Sequence, residues 1–320
     1  MKRGKAYIIS AAAISAQEPF KGVNSFEALP VEGGRVLCKD PDFKQFIPPM
    51  EARRMSSILK RTLAVSKYVM ENSPLKCPDA IISGTGNGCV GDTEVFLKKM
   101  IDDGENMLNP SKFICSTPNT CASQIAIALG CNGFNSTHVN DAFSMEGALL
   151  DSIMQFEKGE ASSILMVVAD QMTDNLYRML SFLPKLSSIP LSEGATAFLL
   201  ENKPSERAYA VIEDMIQIRG GVSDTLDNFL SSNGLTWDDI DLVMTSDFPN
   251  PQRENFAFIP KEKERLTYKQ WCGEYLSASA FGLFCCSDIL KNSAVKKRIL
   301  LAVRSGANYS FTLISNLCTN

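Results

Sequence analysis

The chain has 320 residues, 45% of them apolar, enough to bury a large core as one big domain or two closely packed halves, and this argues against a disordered or fibrous protein. Its 32 Lys and Arg against 36 Asp and Glu give a net charge of −4 with no concentrated basic run, which argues against nucleic-acid binding by phosphate neutralisation. Ten cysteines scattered through apolar stretches without a CxxC, and a single histidine, His138, point to free thiols in a reducing cytoplasm, with no metal site or cofactor expected.

In chain order, Lys2, Arg3 and Lys5 ahead of the apolar residues 7–16 imitate a secretory signal. The apolar part is short and lacks leucine, so a strand at 7–14 opening the fold is the better reading. Helices are predicted at 50–70, 92–103, 120–130 and 143–158, and strands at 80–83, 136–139, 164–169 and 196–201. In the helix at 143–158, Phe143, Leu149, Ile153 and Phe156 mark one apolar face and Gly159 supplies the stop. A second set follows Lys203-Pro204: a strand at 208–218, a helix at 224–232, a strand at 241–245, a helix at 275–292, and strands at 298–303 and 310–314. Short apolar runs alternating with helical patterns indicate an α/β layered architecture. Element order repeats between residues 1–203 and 204–320, so the two halves are expected to form one compact unit. Nowhere do about 18 apolar residues follow one another, so no membrane span is expected.

Taken alone, Ser83-Gly-Thr-Gly-Asn-Gly88 is a tight turn after a strand, and it matches neither a dinucleotide fingerprint nor a P-loop. Its order relative to other stretches is more informative. Thr117-Pro-Asn-Thr-Cys-Ala-Ser-Gln124, Gly130-Cys-Asn-Gly133-Phe-Asn135, Gly159-Glu-Ala-Ser162 and Ser192-Glu-Gly-Ala195 follow it in turn. Later come Lys269-Gln-Trp-Cys-Gly-Glu274, Ser277-Ala-Ser-Ala280 and Arg304-Ser-Gly-Ala-Asn308. In that order these stretches resemble the motifs of the β-ketoacyl synthase family, over nearly the whole chain and with a shortened middle. The resemblance implies a thiolase-like layered fold of two pseudo-duplicated halves, α-β-α-β-α, resting on analogy rather than periodicity.

The family condenses acyl units with a cysteine nucleophile and two histidines. Thr120-Cys-Ala-Ser123 imitates the nucleophile signature, but the family's nucleophile follows the Gly-Pro strand. Counting forward from Gly133 and back from Gly159 puts that position at Ala142, leaving Cys121 as a candidate alternative nucleophile and, more plainly, a small buried thiol. Alanine cannot hold an acyl chain as a thioester. The histidine positions fall at Ser246, or Asp247 if the alignment slips by one, and at Glu274, while His138 matches neither. A carboxylate at Glu274 opposes a developing enolate. The retained Lys269 is the expected partner of Glu274 in a structural ion pair.

With no catalytic residue set intact, the resemblance implies a partner subunit. It is closest to the nucleophile-less chain length factor of polyketide and aryl polyene systems, whose motifs Pro49-Met-Glu-Ala-Arg-Arg-Met-Ser56 and Ser116-Thr-Pro-Asn-Thr120 resemble. The implied partners are an active ketosynthase in a heterodimer, or a second copy in a homodimer, and an acyl carrier protein. An acidic carrier needs a local basic patch, for which Arg53, Arg54, Lys60 and Arg61 are the candidates, a solvated helix face being the plainer reading. The alternatives are an acyltransferase using Cys121 or another thiol in an unfamiliar arrangement, and a malonyl decarboxylase.

Overall fold

The computed structural model describes residues 4–30, 33–104, 108, 110–184, 186, 189–248 and 255–317. The first half runs β1 (Ala6–Ile14), β2 (Gly34–Arg35), α1 (Pro49–Ala52), α2 (Ser57–Glu71), β3 (Ala80–Gly84), α3 (Val90–Asp102), α4 (Pro110–Ser116) and α5 (Thr120–Leu129). It continues with β4 (Phe134–His138), α6 (Ser144–Lys158), β5 (Ser163–Asp170), α7 (Asp174–Ser181), β6 (Pro190–Leu191) and β7 (Gly194–Glu201). The second half holds β8 (Ala210–Arg219), α8 (Val222–Ser232), β9 (Leu242–Thr245), β10 (Arg265–Thr267), α9 (Lys269–Cys272), α10 (Ser279–Asn292), β11 (Arg298–Ser305) and β12 (Asn308–Asn316).

Apart from the short β2–β6 pair, the strands form one sheet in the order β10-β9-β11-β12-β8-β1-β7-β5-β3-β4. Outward from the β1–β8 junction the two sides are alike. β1-β7-β5-β3-β4 and β8-β12-β11-β9-β10 each begin with two antiparallel pairings and end with two parallel ones. At the junction, Ala6, Tyr7 and Ile8 pair with Ile212, Val211 and Ala210.

Alternating side chains separate the layers. In β5, Ile164, Met166 and Val168 enter a central core with α6 and α10, whereas Leu165, Val167 and Ala169 face α2 and α5. In β11, Ile299, Leu301 and Val303 enter the same central core, and Leu300 and Ala302 face α8. A strand buried on both faces has an unbroken apolar run, which explains SILMVVA and RILLAV. The resulting layers are α2 and α5, one half of the sheet, α6 and α10, the other half of the sheet, and α8. This is the α-β-α-β-α arrangement that the resemblance implies.

Several local expectations need correction. The helix at 50–70 is broken, because Ser56 takes an extended conformation between α1 and α2. The helix at 275–292 starts only at Ser279, since the backbone N–H of Ser277 is tied instead to Asp170. Arg61 does not belong to an exposed basic patch. It is buried, with Nε 2.6 Å from Asp40 Oδ1 and Nη1 2.8 Å from Glu193 Oε2, while Arg53 and Arg54 remain exposed. The thiols are not all free: Cys77, beyond α2, and Cys131, just past α5, come within 5.9 Å between Cα atoms and form a disulfide. Among the described residues no helix is long and apolar enough to cross a membrane.

Candidate functional site

A cavity of about 660 Å³ is lined by residues from both parts of the chain, among them Ala142 just before α6 and Ala278 just before α10. Its lining includes Ala142 and, from a stretch far away in sequence, Lys269 and Glu274, all three singled out by the motif order.

Buried carboxylates tie its walls together. Asp170, at the end of β5, accepts hydrogen bonds from Thr85 Oγ1 (3.1 Å), the amides of Gly86 (3.0 Å) and Asn87 (2.8 Å), and the amide of Ser277 (2.9 Å). It thus joins the glycine-rich turn to the segment leading into α10, and Asn87, Leu276 and Ala278 from those two segments line the cavity. Burial pushes the Asp170 carboxyl up, against the hydrogen bonds that favour its charge. The turn is glycine-rich for steric reasons: a Cβ at Gly84 would sit 2.6 Å from the Ser144 carbonyl oxygen, and one at Gly86 would sit 2.4 Å from the Leu276 Cβ. Glu193, from the Ser-Glu-Gly-Ala stretch, accepts from the Met172 amide at 3.0 Å and meets Arg61, fixing Met172 in the lining.

Ala142 lies in the short turn that opens α6. Ser144 Oγ accepts from the Asn140 amide (3.0 Å) and donates to the carbonyl oxygens of Thr85 and Asp141 (both 2.8 Å), holding this turn against the glycine-rich one. Asp141, immediately before Ala142, has a φ of 46°, an uncommon conformation for a residue other than glycine. Lys269 Nζ lies 2.6 Å from Glu274 Oε2, and both side chains are largely buried. Among the described residues, the lining has neither a thiol nor an imidazole.

Ser246 is one contact removed from the cavity. It is buried, and its Oγ accepts from the backbone N–H of Arg304, which does line the site. Asp247 is held by Asn255 Nδ2 at 2.6 Å. Burial pushes its carboxyl up, opposed by Asn255 and by the charges of Lys269 and Arg304.

The structure places Cys121 elsewhere. It packs with Val167, Ala169 and α2 on the face of the sheet opposite α6, with its Sγ 3.8 Å from that of Cys89. The hydrogen bond with Cys121, together with burial, pushes the Cys89 thiol far up. His138, on β4, lies with Nε2 2.9 Å from Asp151 Oδ2, outside the lining. Burial of Asp151 is outweighed by hydrogen bonds from His138, Ser136 and Gln155, which hold its carboxyl below the usual range. No group of three or more His, Cys, Asp or Glu among the described residues is placed to hold a metal ion.

Sequence reasoning missed Asp170, Glu193 and the wall formed by α7. The one local signal was the apolar spacing of Met172, Leu176, Leu180 and Leu183.

Comparison with known proteins agrees with this fold. The ishigamide ketosynthase/chain length factor superposes with a TM-score of 0.83 at 14% identity, covering 98% of this chain and 99% of that one. A type II polyketide ketosynthase solved with its acyl-carrier protein gives 0.77 at 13% identity, covering 98% and 99%. A beta-ketoacyl synthase from Burkholderia phymatum gives 0.73 at 11% identity, covering 99% and 100%. At such identities the likeness establishes the fold. A search of curated proteins by sequence finds no match. The profile of the beta-ketoacyl synthase N-terminal domain matches residues 36–214, more than half of the chain, and the chain therefore belongs to the beta-ketoacyl synthase family.

Proposed function

We propose that this chain is a non-condensing partner subunit of the chain length factor type, working with an active ketosynthase and an acyl carrier protein in fatty acid or polyketide biosynthesis of the aryl polyene kind. The observation that carries the reading is a large, mainly apolar cavity lined by Ala142, Lys269 and Glu274, with no thiol or imidazole in its described lining. In this role the cavity shapes a chain that is built on the partner's cysteine. Residues 1–203 and 204–320 act as the two halves of one unit, and the location is cytoplasmic.

A surface suited to a partner supports the reading. Among the described residues β4 pairs only with β3, leaving an open edge. Around it stand the exposed Ile127, Phe134 and Val139, with Ile101, Phe113 and Ile114 exposed on α3 and α4. An open strand edge amid apolar side chains invites pairing with another chain. The chain length factor and ketosynthase relatives named above share this fold, and one was solved with its acyl-carrier protein.

Purified alone, the chain should neither condense nor decarboxylate malonyl thioesters, and adding its partner synthase should yield elongated products, read by mass spectrometry of the carrier protein. Ala142→Cys should not restore condensation, because Ser246 and Glu274 cannot stabilise the enolate. Condensation by the isolated wild-type chain would overturn the proposal, and decarboxylation alone would favour the malonyl decarboxylase alternative.

A further inference from the structure

The lining of the cavity divides by segment. Residues 171–191 supply aliphatic side chains, among them Met172, Leu176, Leu180 and Leu191, whereas the C-terminal half supplies Lys269, Glu274 and Arg304. Among the described residues the lining charges are two cations, Lys269 and Arg304, and one carboxylate, Glu274. Asp247 lies outside the lining. Arg304 donates from Nε to the Gly306 carbonyl and from Nη1 to Asn255, and its guanidinium lies 5.5 Å from the centre of the Tyr309 ring. Among the described residues its Nη2 has no hydrogen-bond partner. An apolar cavity with one surplus positive charge is complementary to an aliphatic molecule with an anionic end.

We propose that the cavity binds, without a covalent bond, an aliphatic chain ending in a carboxylate, with the chain along the leucines of residues 171–191 and the carboxylate received by Lys269 and Arg304 in the place Glu274 now holds. This rests on reading the cavity as an acyl site and is independent of the identity of the partner subunit. Glu274 then acts as a built-in competitor: it holds Lys269 at 2.6 Å until a ligand carboxylate displaces it. The carboxylate can come from a free acid or from the far end of a chain still carried as a thioester.

Isothermal titration of the full chain with dodecanoate, dodecan-1-ol and dodecylammonium, all as monomers, tests the proposal without any substitution. Dodecanoate should bind at least tenfold more tightly than the alcohol, and the ammonium more weakly than either. Glu274→Gln should tighten dodecanoate several-fold by freeing Lys269. Lys269→Met in the Glu274→Gln background, which removes both charges of that pair, should bring the carboxylate-to-alcohol ratio close to one, as should Arg304→Met. The mono-N-acetylcysteamine thioester of dodecanedioate separates the two sources: affinity equal to that of dodecanoate identifies a carrier-bound chain, and weaker affinity identifies the free acid. Equal affinity for acid and alcohol, or weaker dodecanoate binding by Glu274→Gln, overturns the inference while leaving the acyl-site reading intact. Failure of all three ligands to bind overturns both.

Discussion

Glu146 shows what the central layer demands of a single residue. It sits one turn beyond Ala142 on α6, wholly buried, with Ser279 Oγ donating to its Oε2 at 3.2 Å. Burial pushes its carboxyl up to about 7, against hydrogen bonds from its own backbone, Ser279 and Ser310. The unfolded chain releases this proton near the ordinary value of 4.5, whereas the folded chain keeps it until about 7. Between those values the native state binds more protons, so stability falls as pH rises from 4.5 to 7 and then levels off. The loss is on the order of 3 kcal/mol. Glu146→Gln keeps the shape and the hydrogen bonding without the charge. Denaturant titrations at pH 5 and pH 8 should show the wild type weaker at pH 8 and the variant nearly insensitive, and an unchanged slope in Glu146→Gln would refute the assignment. Lys269 and Glu274 could be singled out in the sequence because they share one local stretch, and Ala142 by counting forward from Gly133 and back from Gly159. Asp170 and Glu193 could not, because their roles exist only in three dimensions: Asp170 binds residues 83 to 107 positions away.

Among the elements, long regular ones were legible and short ones were not. α6, β5 and β11 have runs long enough to fix their period. The four-residue α9, the three-residue β10 and the eight-residue α7 follow tertiary contacts that local pattern does not encode. β4 was also legible, but its openness was not, since an edge strand differs from a central one only in its neighbours. Its exposed neighbours Phe134 and Val139 can therefore be tested without disturbing the core. Phe134→Lys combined with Val139→Lys should change the stability of the isolated chain by no more than about 0.5 kcal/mol at each site. It should also abolish co-purification with the partner synthase, because lysines on an open strand edge oppose pairing and would have to be desolvated. Undiminished co-purification would place the partner on another face.

At the scale of the molecule, repeated element order in the sequence corresponds to strand order repeated on either side of the β1–β8 junction. Sequence alone did not reveal how completely the halves share a core. Phe281 and Phe284 of α10 lie in one apolar cluster with Ile8, Phe198 and Leu200 from the first half and Leu242, Leu301 and Ile314 from the second. Neither half can expose that layer without uncovering the other's apolar face, so opening one should open both. Native-state hydrogen exchange should give the buried amides of β5 and β11 the same opening free energy. Phe281→Ala, at a fully buried position, should lower both by a similar 3–5 kcal/mol or so, the usual cost of removing a buried phenylalanine. If β11 alone were weakened while β5 kept its protection, the halves would be separate folding units, and α10 would belong to the second half rather than to a layer both halves share.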